Sequence, residues 1–179
     1  MPKEGGARFF RHIRFEDERG WLTNINQRDF VADTCKKFVH SFISFSTMNT
    51  LRGFHFQSSP QAQEKIIHVI DGEILDVAFC LDQEGSTPKC VSAKLGASYE
   101  FDSVWLASNM AHGFLVLSRS ATLLYLNSAP YDSNNAHVIY PRDPSINFDW
   151  GLNEQKPIMS RRDNEGMSWH EYKERFQNV

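Results

Sequence analysis

Groups able to move a proton recur along this chain in strand-like settings, and the run Leu51-Arg-Gly-Phe-His-Phe-Gln57 is the most informative of them. On a regular strand Arg52, Phe54 and Phe56 share one face while Leu51, Gly53, His55 and Gln57 share the other, so His55 is expected beside Gln57 where Gly53 leaves room. An imidazole with an open neighbour and no second histidine suits proton transfer better than metal ligation. A metal-binding barrel would show a His-x-His pair on such a strand, and here the second position is Gln57. No metal is therefore expected, although His55, His68 and His112 could still meet in space. What remains is an acid-base set of His55, Lys65 and Tyr125, with a carboxylate to orient the imidazole.

The elements that must position these groups read as strands. Short apolar or alternating runs bounded by turn residues span 38–47, 50–57, 65–71, 73–81, 90–95, 98–104, 111–117 and 121–128. Asp71-Gly72 between two of them is a hairpin signal, because glycine tolerates positive φ. So many closely spaced strands predict an all-β jelly roll or related double-sheet barrel. Residues 29–33 are expected to form a short helix. Trp169, Tyr172 and Phe176 stand at helical spacing among charged residues, predicting an amphipathic helix over 168–176 docked on the barrel. The stretch 131–162, rich in Pro, Asn and Asp, is expected to be mostly loop, and no repeat or linker marks a second domain within 1–179.

At 179 residues the chain suits one domain with a substantial core. A formal net charge of −3 without basic runs argues against nucleic acid and against a polybasic membrane surface. Apolar runs such as Gly113-Phe-Leu-Val-Leu117 fall far short of a membrane span, and Met1-Pro-Lys-Glu-Gly-Gly lacks a signal-peptide core, so a cytoplasmic location is expected. Cys35, Cys80 and Cys90 form no CxxC and read as reduced packing residues.

Asp17-Glu-Arg-Gly20, the Leu51–Gln57 run, Lys65, Gly72-Glu-Ile-Leu-Asp-Val-Ala78, Ala111-His-Gly-Phe-Leu-Val-Leu-Ser118, Tyr125 and the stretch 143–150 occur in one order. In that order and spacing the chain resembles the dTDP-4-dehydrorhamnose 3,5-epimerase family over roughly residues 14 to 163, and several motifs in register are more specific than any one alone. The resemblance implies a cupin-type jelly roll with short peripheral helices, a homodimer that uses neither metal nor organic cofactor, and a nucleotide-diphosphate sugar as ligand. It makes His55 the general base, Tyr125 the general acid, Lys65 the group stabilising the enolate and Asp163 the carboxylate paired with the base. A C4 ketone acidifies the protons on C3 and C5, so a base can remove one if the developing oxyanion is met by charge. Reprotonation from the other face then needs a separate acid.

By the same resemblance Arg19 and Arg52 match diphosphate-binding positions, Arg162 a basic position near the carboxylate, Tyr131 the aromatic that stacks on the base, and His112 a pocket histidine that hydrogen-bonds base or substrate. Gln57 joins these as a substrate contact, and Asp76 is expected either to be structural or to support a site residue from behind. The chain departs from the family at Asn24, where Glu is usual, at His40 and Phe42, where Gln and Asn are usual, at Ala136, where the family is acidic, and at Leu126, where Lys is frequent. Asn24 and His40 remain candidate substrate contacts. Lost hydrogen-bond partners usually change what a site discriminates, so a nucleotide other than dTDP is expected. The competing activities are a 3,4-ketoisomerase and a non-catalytic sugar-nucleotide-binding cupin; retention of His55, Lys65, Tyr125 and Asp163 together favours epimerisation at C3, C5 or both.

Overall fold

The structure, a computed structural model, describes residues 6–25 and 37–177. Twelve strands are present among them: β1 (Ala7–Phe10), β2 (Arg14–Asp17), β3 (Gly20–Thr23), β4 (His40–Thr47), β5 (Leu51–Gln57), β6 (Lys65–Asp71), β7 (Glu73–Cys80), β8 (Cys90–Gly96), β9 (Ser103–Leu106), β10 (Met110–Val116), β11 (Ser120–Asn127) and β12 (Ala136–Val138). Two short helices follow, α1 (Arg161–Asn164) and α2 (Trp169–Phe176). One five-stranded antiparallel sheet runs β1-β9-β6-β11-β4, a second runs β12-β5-β10-β7-β8, and β2-β3 forms a separate hairpin. The jelly roll expected from the strand spacing, of the cupin type that the family resemblance implies, is the observed architecture, with most consecutive strands passing from one sheet to the other.

Alternation decides what each strand buries. Along β11, Ala121, Leu123, Tyr125 and Asn127 are buried between the sheets while the intervening residues are half-buried on the outer face. Along β6, Ile67 and Val69 join the same inner core as Leu123, Phe114 and Val116, whereas Ile66 packs outward with Phe10. Strand β10 is buried throughout, because the second sheet is covered on both faces. Its outer face carries Leu51, Phe54, Phe79 and Leu115 against Ile139, Trp150, Trp169 and Tyr172. Here the aromatic spacing of α2 does its expected work. Trp169 stacks on Tyr172 at 5.1 Å and meets Phe79 edge-on at 5.5 Å, and Ser168 with Glu171 closes a capping box at the helix start.

Three expectations change. Asp71-Gly72 is a turn with Gly72 at φ 85°, but it joins strands of different sheets rather than a hairpin. A Cβ at Gly72 would lie 2.1 Å from the Ser120 carbonyl oxygen, so the glycine serves a close crossing of two chains. The strand placed at 98–104 is confined to Ser103–Leu106, because the preceding backbone turns its carbonyls toward Arg11, whose guanidinium donates to the oxygens of Ala97 and Glu100 at 3.2 and 3.1 Å. Strands β1, β2, β3 and β12 and helix α1 carry too few residues for periodicity to reveal. The helix expected at 29–33, with Cys35, lies outside the described residues. Cys80 and Cys90 are free thiols, and burial pushes that of Cys90 up to about 11.

Candidate active site

Strand β5 departs from regular alternation at Gly53. His112 of β10 is paired with His55 and Phe114 with Arg52, so Gly53 and Phe54 together oppose the single residue Gly113. This is a β-bulge, and its extra residue reverses the facing of the strand beyond it. Arg52 and His55 consequently line the same cavity, while Leu51 and Phe54 enter the outer core beneath α2. The expectation that Arg52 faces away from His55 is corrected by this bulge. Gly53 adopts φ 128°, and a Cβ there would lie 2.4 Å from the Gly113 Cα, so both the conformation and the approach require glycine.

The cavity, of about 320 Å³, lies between the two sheets. His55 projects into it from the second sheet, Lys65 and Tyr125 from the first. His55 Nε2 stands 2.5 Å from Asp163 Oδ1. Asp163 is itself held: its Oδ2 accepts from the Ser160 hydroxyl at 2.7 Å, its amide donates to Ser160 Oγ at 3.0 Å, and the Gly53 amide donates to Oδ1 at 3.5 Å. Thus the N-cap of α1 and the bulge of β5 fix the carboxylate that fixes the imidazole. Burial lowers the His55 pKa from its ordinary value, Asp163 opposes that shift by hydrogen bond and charge, and Lys65 and His112 add to it. Burial also works against the Asp163 carboxylate, but its bonds to His55, Ser160 and Gly53 keep it ionised below the usual range.

Lys65 is buried at the start of β6, with Nζ 3.3 Å from the His55 carbonyl oxygen, and burial lowers it to about 8. It is a buried amine lining the cavity, suited when charged to meeting an oxyanion. Tyr125 is buried across the cavity, and burial with the nearby negative charge of Asp76 raises its pKa above that of a free phenol. It therefore stays protonated, as an acid must. Phe42 stacks on its ring at 4.5 Å and 9°. Behind His55 a second pair, His112 Nε2 and Asp76 Oδ2 at 2.7 Å, is buried in adjacent strands.

On the binding side, Arg52 donates to Ser46 Oγ at 3.0 Å, and Arg162 donates to the Tyr131 hydroxyl at 3.2 Å and the Ala136 carbonyl at 2.9 Å. Tyr131, half-exposed at 56%, lines the cavity, as do His40 and His112. Gln57 lines it too, but its amide is occupied. Nε2 donates to the carbonyls of Gln61 and Pro130 and Oε1 accepts from the Asp132 amide, so Gln57 anchors the loop carrying Tyr131 rather than reading a ligand. Two candidates stand elsewhere. Arg19 is on the β2-β3 hairpin, 85% exposed in its side chain and paired with Asp17, and Asn24 is exposed just beyond β3; neither lines the cavity of its own chain. His68 does not join His55 and His112, because alternation turns it to the opposite face of β6 from Lys65.

Four polar lining residues went unread: Ser44, Gln63, Asn127 and His137. Asn127 follows Tyr125 by two and therefore shares its inward face; its Nδ2 is buried without a hydrogen-bond partner. Strand alternation could have found it. His137 lies in β12, inside the stretch expected to be loop, and offered no such signal.

The family model described as dTDP-4-dehydrorhamnose 3,5-epimerase matches residues 5–171. A dTDP-4-dehydrorhamnose 3,5-epimerase of Shigella flexneri is 35% identical over 159 residues, covering 87% of this chain and 86% of the relative. The dTDP-6-deoxy-D-glucose-3,5-epimerase of Legionella pneumophila, solved with dTDP-4-keto-L-rhamnose, superposes with a TM-score of 0.80 at 25% identity over 92% of this chain and 93% of that one. ChmJ, a 3'-monoepimerase from Streptomyces bikiniensis solved with dTDP-quinovose, gives 0.84 at 25% identity over 97% and 88%.

Proposed function

The chain belongs to the dTDP-4-dehydrorhamnose 3,5-epimerase family, and from that premise we propose an isomerase that inverts C3, C5 or both of a nucleotide-diphosphate-linked 4-keto-6-deoxy sugar. The observation that carries this reading is the His55–Asp163 pair facing one cavity with Lys65 and Tyr125 on the opposite sheet. In it, His55 Nδ1 accepts the proton from the carbon next to the ketone, while Asp163 at Nε2 holds the tautomer and supports the imidazolium that forms. Lys65 stabilises the enolate oxygen and Tyr125 delivers a proton to the other face. No step calls on a metal or an organic cofactor.

In this reading Arg52 and Arg162 bind the diphosphate and Tyr131 stacks on the base, which their shared lining of the cavity supports. The base we assign is that of the relatives' ligands, dTDP. The expectation of another nucleotide rested on Asn24, His40, Phe42 and Ala136. Asn24, like Arg19, lies outside the cavity of its own chain, and Phe42, stacked on Tyr125 with His40 beside it, stands at the sugar end. Only Ala136 belongs to the mouth near Tyr131 and Arg162. His40 and Phe42 therefore bear on sugar hydroxyls more than on the base.

A homodimer completes the reading. Strand β4 is a sheet edge paired with β11 alone, and it exposes Ile43 and Phe45 at 62% and 63%. Phe15 and Leu22 of the hairpin are exposed as well, at 58% and 59%. Apolar area of this kind suits a second copy. Arg19, outside its own cavity, would reach the diphosphate of the other copy.

The test is incubation with dTDP-4-keto-6-deoxyglucose in heavy water, followed by NMR. Deuterium entering C3 or C5 with formation of an epimer is expected. A 3-keto product would make the protein a ketoisomerase, and binding without exchange would make it a binder. Binding of dTDP, UDP, GDP and CDP under one salt condition tests the base, and a preference for any but dTDP would overturn that assignment.

A further inference from the structure

On the outer face of the first sheet, away from the cavity, a second set of chemistry-bearing side chains converges. His12 follows β1, His68 lies on β6, and Asp102 precedes β9. They are 3%, 2% and 0% exposed. Both imidazoles turn Nδ1 toward the same carboxylate oxygen: His12 lies 3.3 Å and His68 3.7 Å from Asp102 Oδ1, and the three ligand atoms fall within 4.8 Å of one another. Ser103 Oγ stands 2.9 Å from His12 Nδ1, 2.8 Å from His68 Nδ1 and 2.8 Å from Asp102 Oδ1.

Geometry and charge agree on what this set accepts. Zinc bound to imidazole nitrogen and carboxylate oxygen at about 2.0–2.1 Å in a tetrahedron separates its ligand atoms by about 3.3 to 3.4 Å, close to both His–Asp distances here. The Asp102 carboxylate is fully buried, and its Oδ1 accepts from the His12 amide at 3.1 Å and the Ser103 hydroxyl at 2.8 Å. Among the described residues its ion-pair partners are the two imidazoles, with no lysine or arginine, and its Oδ2 is buried without a hydrogen-bond partner. A buried carboxylate with one oxygen unmet favours a cation, and two nitrogens with one oxygen favour zinc over magnesium or calcium.

We propose that His12, His68 and Asp102 bind one zinc ion, and that Ser103 Oγ, at hydrogen-bond distance of 2.8–2.9 Å from all three ligand atoms, gives up those bonds and withdraws by about 0.5 Å to become the fourth neighbour. The site is structural. It ties the chain after β1 to β6 and β9, and it contributes nothing to the cavity, so catalysis remains independent of it. Because all three ligands are buried, zinc enters as the chain folds and its binding adds to folding stability.

The experiment refolds the full chain from denaturant with zinc, with cobalt(II), or with chelator alone. The expected result is one zinc per chain retained through gel filtration, intense visible bands of four-coordinate cobalt, and a higher Tm with zinc than with chelator. His55→Asn, which removes the cavity imidazole, should keep all three signatures, and His68→Gln should lose them. Wild-type protein that refolds without retaining zinc and gives no four-coordinate cobalt bands would overturn the site, as would loss of metal in His55→Asn or its retention in His68→Gln. Should His68→Gln fail to fold, the wild-type stoichiometry and cobalt spectrum, with His55→Asn, decide the matter.

Discussion

His55 works as a base only while neutral, and Lys65 meets an oxyanion only while charged, so the two set opposite limits on pH. Burial lowers His55 below its ordinary value and Lys65 to about 8. The free enzyme's kcat/KM should therefore rise as pH increases through the acid side, below about 6.5, and fall as pH rises through about 8. Lys65→Met should cost about 10²–10³-fold in kcat and remove the alkaline fall; a limb that persists near 8 in this variant would assign it to another group. His55→Asn should lose at least about 10²-fold in both exchange and inversion, measured by deuterium entry. Tyr125→Phe should separate the two, with exchange continuing and little epimer accumulating; epimer formed at the normal rate would remove Tyr125 as the acid. These three residues could be read from the chain because proton transfer needs few groups and the motifs kept their spacing, and all three line one cavity. Asp163 could be named, but its partners Ser160 and Gly53 could not, since a carboxylate's orientation depends on the backbone that holds it.

At the level of elements, the bulge in β5 is what turns a strand into half of an active site. Periodicity located the strand correctly and then misassigned Arg52, because a period of two has no means of announcing an inserted residue. Gly53→Ala is the variant that addresses this. Its Cβ has no room beside Gly113 and its φ is unfavourable, so destabilisation of well over about 1 kcal/mol is expected, read from denaturant midpoints. Residual folded protein should also bind nucleotide-sugar poorly, because Arg52 and His55 would no longer face together. Gly72 shows the complementary limit. The turn was legible, but which strands pair across it depends on burial of both neighbours, and that is a property of the assembled sheets. Helix α2, by contrast, was visible in advance from three aromatics at helical spacing, and the capping box found at its start agrees with that reading.

For the whole molecule, the proposed homodimer rests on the exposed apolar edge of β4. Phe45→Glu should shift the protein from dimer to monomer in sedimentation velocity and weaken diphosphate binding through loss of the second copy's Arg19; an unchanged sedimentation coefficient would move the interface elsewhere. Within the described residues no helix is long and apolar enough to cross a membrane. The passage of the chain from sheet to sheet at Gly72 also governs how fast the molecule can form. Strands adjacent in sequence, such as β4 and β5 or β6 and β7, do not pair, and Ala7 must instead find Leu106 and Leu51 find Leu115. Loop closure has to precede most of the stabilising contacts, which places folding on the order of milliseconds to seconds rather than microseconds. During that interval the apolar edge of β4 is open to the wrong neighbour, so refolding yield should decline with protein concentration even where the native state is stable.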